Sequence, residues 1–168
     1  MHITGLGSYA AAVALPHAIL VSLCEQSGSG YELARRFDRS IGYFWAATHE
    51  QIYRTLRPHG GRRLGARHAR RPARPTGQKA YAVSVAGRAE LARWIAESLT
   101  GRGSSVADNR TRDLAVKVRG AAYGDVAAVH TQAVALRAER AESLDTYRGF
   151  EKRQFPDPGA LTGSAQHQ

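Results

Sequence analysis

The chain has 168 residues, 43% of them apolar, enough to bury a core but short enough to hold one domain and an appendage. It carries 24 Lys and Arg against 14 Asp and Glu, a formal net charge of +10, and a single cysteine. One cysteine excludes an internal disulfide and argues against a secreted disulfide scaffold or a zinc module. Cys24, set in an apolar run, reads as a small buried hydrophobe.

Residues 1–14 are small, Gly-rich and unpatterned and are expected to form a loose, disordered arm. The longest apolar stretch, Ala10 to Cys24, is interrupted by Pro16, His17 and Ser22. It is shorter than the roughly 20 residues a membrane span needs, and no basic leader precedes it, so a cytoplasmic, membrane-free protein is expected. From Leu15 to Gln26, Leu15, Ile19, Leu20, Leu23 and Cys24 recur at helical spacing and predict a first helix, ended by Ser27-Gly28. Ser29-Gly30-Tyr31-Glu32 has the form of a capping box and opens a second helix to about Arg39 that buries Leu33 and Phe37. The aromatic cluster Ile41 to Trp45 is too short for a helix and is expected to pack the following turn.

Thr48-His49-Glu50-Gln51 is a second capping box. It predicts a third helix with Ile52 and Leu56 inward, stopped by Pro58 and Gly60-Gly61. Lys79 to Ser84 alternates, with Tyr81 and Val83 on one face, and reads as a strand. Ser84 then caps a fourth helix to about Leu99, whose apolar stripe is Leu91, Trp94, Ile95 and Leu99. Residues 101–107 read as a Gly/Ser-rich linker, Asp108 to Gly120 as a short helix, and Asp125 to about Lys152 as a long one. On the long helix Val126, Val129, Ala133 and Leu136 form a stripe that Arg140 interrupts and Leu144 and Tyr147 resume. Such a stripe calls for a partner surface, either a second subunit or the chain's own N-terminal domain. The fold class expected is α+β and mostly helical: a winged helix-turn-helix over 15–100, followed by a helical dimerisation region over 108–168.

Charge placement narrows the partner. Residues 51–89 contain no Asp or Glu and ten of the Lys and Arg, which leaves the rest of the chain balanced at fourteen against fourteen. One concentrated cationic segment on an otherwise neutral chain suits a polyanion; a solvated charge run is the bland alternative. No Gly-rich phosphate loop, metal-spaced Cys/His set or nucleophile elbow is present, so neither an enzyme nor a cofactor is expected.

Leu15 to Leu20, Ser29 to Leu33 and Gln51 to Leu56 together resemble the PadR family of transcriptional regulators. Lys79 to Ser84 with Gly87-Arg88 resembles that family's second wing strand and the start of its next helix, and 108–162 resembles the long C-terminal region of its virulence-activator-like branch. The resemblance implies a non-catalytic homodimer that binds double-stranded operator DNA, often as a repressor, and that a phenolic or other small effector releases in some members. Two features depart from the pattern. Residues 57–75 hold seven Arg and one large apolar residue, Leu64, where the family has an alternating wing strand. A stretch diverged beyond use as a wing, or read out of frame, is expected there. The end of the chain, after a Pro/Gly-rich run, reads as an incomplete dimerisation domain.

A recognition helix presents its N-terminal residues to base edges, which nominates Thr48, His49 and Gln51 and, one turn on, Arg54 and Thr55. Tyr53 reads as a phosphate contact or as packing, Arg35 and Arg36 as backbone contacts or exposed helix charges, and Lys79 as a further DNA contact. Trp94 is the candidate for stacking a flat effector, with core or interface packing as the alternative. Two rival functions remain, against a cytoplasmic, nucleoid-associated regulator. One is a nonspecific RNA- or ribosome-associated basic protein, which would use the Arg-rich segment alone, without groove geometry; the other is a dimerisation module with a defunct wing.

Overall fold

A computed structural model of the chain describes residues 14–40, 48–57, 66–68, 80–99 and 104–155. The first helix, α1, spans Ala14–Glu25. Pro16 falls in its first turn, where the missing N–H had no acceptor within the helix. Ala14, Leu15, Ala18, Ile19, Leu20, Val21, Ser22 and Leu23 are all buried, so α1 is enclosed by the rest of the domain and not laid on its surface.

A two-residue strand, β1 (Gly28–Ser29), leads into α2 (Gly30–Ser40). The Ser29 box forms as expected: Glu32 N–H donates to Ser29 Oγ at 3.2 Å, and Ser29 N–H donates to Glu32 Oε2 at 2.8 Å. Leu33, Ala34 and Phe37 are buried. The Thr48 box forms as well and opens α3 (His49–Leu56), whose inward residues are Ile52 and Leu56. The aromatic cluster at 41–45 lies outside the described residues.

Three strands form one antiparallel sheet in the order β1–β3–β2, where β2 is Ala66–His68 and β3 is Ala80–Val83. Ala66 pairs with Val83, Arg67 with Ala82 and His68 with Tyr81, while Gly28 pairs with Tyr81 on the other edge. The Arg-rich stretch, expected to have diverged beyond use as a wing or to be read out of frame, contains a short strand at 66–68. A ladder is made of backbone N–H and C=O groups, so a segment without apolar alternation still joins one when a neighbouring strand offers its edge. The flanking residues of that stretch, 58–65 and 69–75, and Lys79 lie outside the described residues.

Ser84 Oγ accepts from Gly87 N–H at 3.0 Å and caps α4 (Val85–Ala96). Gly87, Leu91, Trp94 and Ile95 are its buried residues. The helix ends three residues before the expected Leu99, because Glu97 turns extended and its N–H closes onto Arg93 and Trp94 carbonyls. Next come α5 (Ser104–Arg119), a 3-10 turn (Ala121–Tyr123) and α6 (Val126–Gln154). Helix α5 begins inside the span read as a linker, 101–107. Asp125 caps α6, its Oδ1 accepting from Ala128 N–H at 3.1 Å.

The chain divides into two compact units, one reaching Gln132 and one from Ala133. The first is larger than the 15–100 segment read from the sequence because α5 packs on α1. Arg119 fastens that packing with a two-pronged ion pair to Glu25, Nε–Oε1 and Nη2–Oε2 both at 2.8 Å. Val116 and Val129 join the core of α1, α2, α3 and α4. In the second unit Leu144, Tyr147 and Phe150 are exposed.

Gly120 sits where this packing is tightest: a Cβ there would lie 2.7 Å from Val21 Cγ2. Gly120→Ala is expected to destabilise the protein by about 1–3 kcal/mol through overpacking, read from urea unfolding monitored by circular dichroism.

Candidate nucleic-acid interface

Helix α3 is short, and its outer surface is set by what its own caps consume. Thr48 Oγ1 accepts from Gln51 N–H at 3.2 Å, and Gln51 Oε1 accepts from Thr48 N–H at 3.0 Å. Both side chains nominated for base contact are therefore engaged in closing the helix N-terminus, leaving the Gln51 amide nitrogen and the Thr48 O–H as their donors for other partners. Thr55 turns its hydroxyl back onto the Gln51 carbonyl at 2.8 Å. Tyr53 is 43% exposed, yet one edge of its ring lies against Gly30: a Cβ on that glycine would stand 2.5 Å from Tyr53 Cε1. Only a residue without a Cβ lets α3 approach the start of α2 so closely.

That leaves His49, Glu50 and Arg54 projecting from α3. The side chains of Glu50 and Arg54 are 79% and 70% exposed, and Arg54 Nη2 holds Glu50 Oε1 at 2.6 Å across one helical turn. His49 Nε2 lies 3.3 Å from Asp38 Oδ2 on α2. Glu50 and Asp38 were not among the sequence candidates. An acid four residues before an arginine on one helix face was the available signal for Glu50.

The two arginines of α2 separate into different roles. Arg36 turns inward: its Nη1 donates to Gln26 O at 2.6 Å and, at 3.0 Å, to Ser22 O, which also accepts from Gln26 N–H. Burial, the largest influence on Arg36, pushes its pKa down, and Glu25 and Glu32 oppose the shift. Arg35 stays outward, its guanidinium 5.9 Å from the Tyr31 ring centroid. Beside it runs a groove of about 200 Å³ lined by Gln26, Ser27, Glu32, Arg35, Arg36 and Arg39.

Trp94, on α4, is buried. Its ring stacks on His17 with centroids 4.3 Å apart and planes 4° from parallel, and Lys117 Nζ sits 5.0 Å from its centroid. Lys117 is itself buried and donates to the Glu97 carbonyl and, at 3.0 Å, to Gln132 Oε1. Gln132 passes the link on, donating to Ile95 O at 3.1 Å. His17 also meets Glu90 at 3.2 Å. The ring face nominated for an effector is thus covered by the chain's own imidazole. Cys24 is half-buried beside Arg88, 3.8 Å from its Nη1, and burial pushes its thiol pKa up. Among the described residues no group of His, Cys, Asp and Glu has metal-binding geometry, and no helix is long and apolar enough to cross a membrane.

Over 161 residues the chain is 66% identical to the probable transcriptional regulator Rv1176c of Mycobacterium tuberculosis, covering 93% of this chain and 85% of that protein. The chain belongs to this family of transcriptional regulators. Residues 112–168 of the regulator also match the family described as virulence activator alpha C-term. That match spans the last turns of α5, the 3-10 turn and all of α6.

Two measurements check the local chemistry. Thr48→Ala is expected to lower stability by about 1 kcal/mol through loss of the N-cap, read from thermal or urea unfolding. Burial pushes the Lys117 pKa below the ordinary lysine value, with Asp113 and Glu97 opposing. In the pH window between the lowered and the ordinary value the unfolded chain binds more protons than the folded one, so stability rises with pH there. Urea unfolding of the parent and Lys117→Met between about pH 8 and pH 10 is expected to show the parent gaining on the variant as pH rises. A pH-independent difference would exclude the buried-ammonium account.

Proposed function

We propose that this regulator is a PadR-like winged helix-turn-helix protein that binds double-stranded DNA as a homodimer, in the cytoplasm and on the nucleoid. Helices α1, α2 and α3 supply the helix-turn-helix, and the antiparallel β2–β3 pair supplies the wing. The observation that carries this reading is α3 itself. It is a doubly capped helix, anchored by Ile52 and Leu56, that turns His49, Glu50 and Arg54 outward beside a strand pair drawn from the acid-free segment. A B-form major groove about 12 Å wide admits one such helix.

The DNA-binding set on this reading is Thr48, His49, Gln51, Tyr53, Arg54, Thr55, Arg35, Arg36 and Lys79, divided by what the packing leaves free. Arg54 and His49 face base edges, Arg35 and Tyr53 face phosphates, and Thr48, Gln51 and Arg36 hold the framework that aims them. Phosphate contacts set register, and base contacts set sequence. The exposed Leu144, Tyr147 and Phe150 of α6 support pairing of two subunits through the C-terminal helix. The regulator acts as a repressor that a small, flat, phenolic effector releases by displacing His17 from Trp94.

Fluorescence anisotropy with the DNA upstream of the protein's own gene, and with a scrambled duplex, tests the proposal. Operator affinity is expected to exceed scrambled affinity and to fall roughly a thousand- to a hundred-thousand-fold between 50 and 200 mM salt, as for six to ten phosphate contacts. Arg54→Ala is expected to weaken the preference and leave the salt dependence largely intact. Equal affinity for operator, scrambled duplex and structured RNA would instead favour a nonspecific basic protein.

A further inference from the structure

Helix α3 carries an acid where a polyanion is expected to dock. Glu50 is in the first turn, its side chain is 79% exposed, and the neighbours that might have masked it are engaged elsewhere: Thr48 and Gln51 in the cap, Tyr53 against Gly30. It pairs with Arg54, at 2.6 Å on the same face. The pair makes this part of α3 neutral, although the chain as a whole has a formal charge of +10. A carboxylate beside a phosphate backbone is repelled unless a donor meets it. In the major groove the exocyclic N4 amino group of cytosine is the donor that glutamate accepts from, and guanine O6 and N7 are the acceptors that arginine reads in two-pronged fashion.

We propose that Glu50 is a base-discriminating residue of this regulator. Its carboxylate accepts from the N4 amino group of a cytosine, while Arg54, which Glu50 holds in the free protein, turns to a guanine of a neighbouring pair. This inference rests on the winged-helix reading of α3. It adds an element of exclusion: on any sequence without that cytosine the carboxylate is left unmatched against the groove, so wrong sites are rejected as well as the right one favoured. The orientation of the Glu50–Arg54 pair matters too. Each side chain restrains the other before binding, so neither is presented in an arbitrary rotamer.

The test is selection from a randomised duplex library with the full chain, comparing the parent, Glu50→Gln, Glu50→Ala and Arg54→Ala. Gln keeps length and helix propensity, so altered folding does not enter the comparison. The parent is expected to select a cytosine and a guanine at neighbouring pairs, with roughly 5- to 150-fold discrimination at the cytosine. Glu50→Gln is expected to shift that position toward adenine, which a carboxamide reads through N6 and N7. Glu50→Ala is expected to erase the preference there and to bind off-sequence duplex more tightly than the parent does. Arg54→Ala is expected to lose the guanine alone. If the parent selects a sequence and both Glu50 variants select the same one, Glu50 is a helix-terminus charge and the assignment is overturned. A parent that selects no sequence removes the winged-helix reading, and the Glu50 assignment with it.

Discussion

Eight of the twelve residues of α1 are buried, and every other element of the first unit is arranged around that fact. Helices α2, α3, α4 and α5 and strand β3 all pack on it. A helix apolar on all sides has no stable position at a surface, so its neighbours must enclose it. The C-terminal end of α1 comes to the surface at Glu25 and Gln26, and side chains from two other helices meet it there. Arg36 reaches back from α2 to the Ser22 and Gln26 carbonyls, and Arg119 reaches from α5 to the Glu25 carboxylate.

The parts of this arrangement that were legible in the sequence are those governed by local chemistry. Both capping boxes, the starts of α2, α3 and α4, and the inward residues Ile52, Leu56, Leu91 and Ile95 depend on neighbours three or four positions away, and they appear where expected. What went unread depends on distant partners. Strand β2 exists by pairing with β3, and nothing in the composition of 66–68 announces it. The end of α4 is tied by Lys117 of α5, twenty positions beyond Glu97. His17 looked like an interruption in an apolar run and is instead the stacking partner of Trp94.

The candidate site shows the same division from another side. Thr48 and Gln51 were nominated twice, as a cap and as readers of bases, and one set of atoms cannot serve both roles fully at once. The structure gives their oxygen atoms to the cap. Glu50 is not marked as a candidate by its chemistry, since an acid is an unexpected residue to present to a polyanion. Its pairing with Arg54 was visible as an i, i+4 spacing, but its exposure became evident only once Tyr53 and Thr55 were placed.

The cationic stretch that follows α3 and the neutral Glu50–Arg54 face of α3 are neighbours in sequence but differ in charge character. For a chain that meets DNA, this separates two stages in time. On the proposed DNA-binding reading, the cationic segment gathers the protein onto any duplex from a distance and lets it travel along the backbone, with a strength that ambient salt controls. The balanced helix adds little to that pull and so does not slow the scan at each wrong position. How fast a site is found and how long it is held are thereby set by different stretches of the same chain, free to change independently.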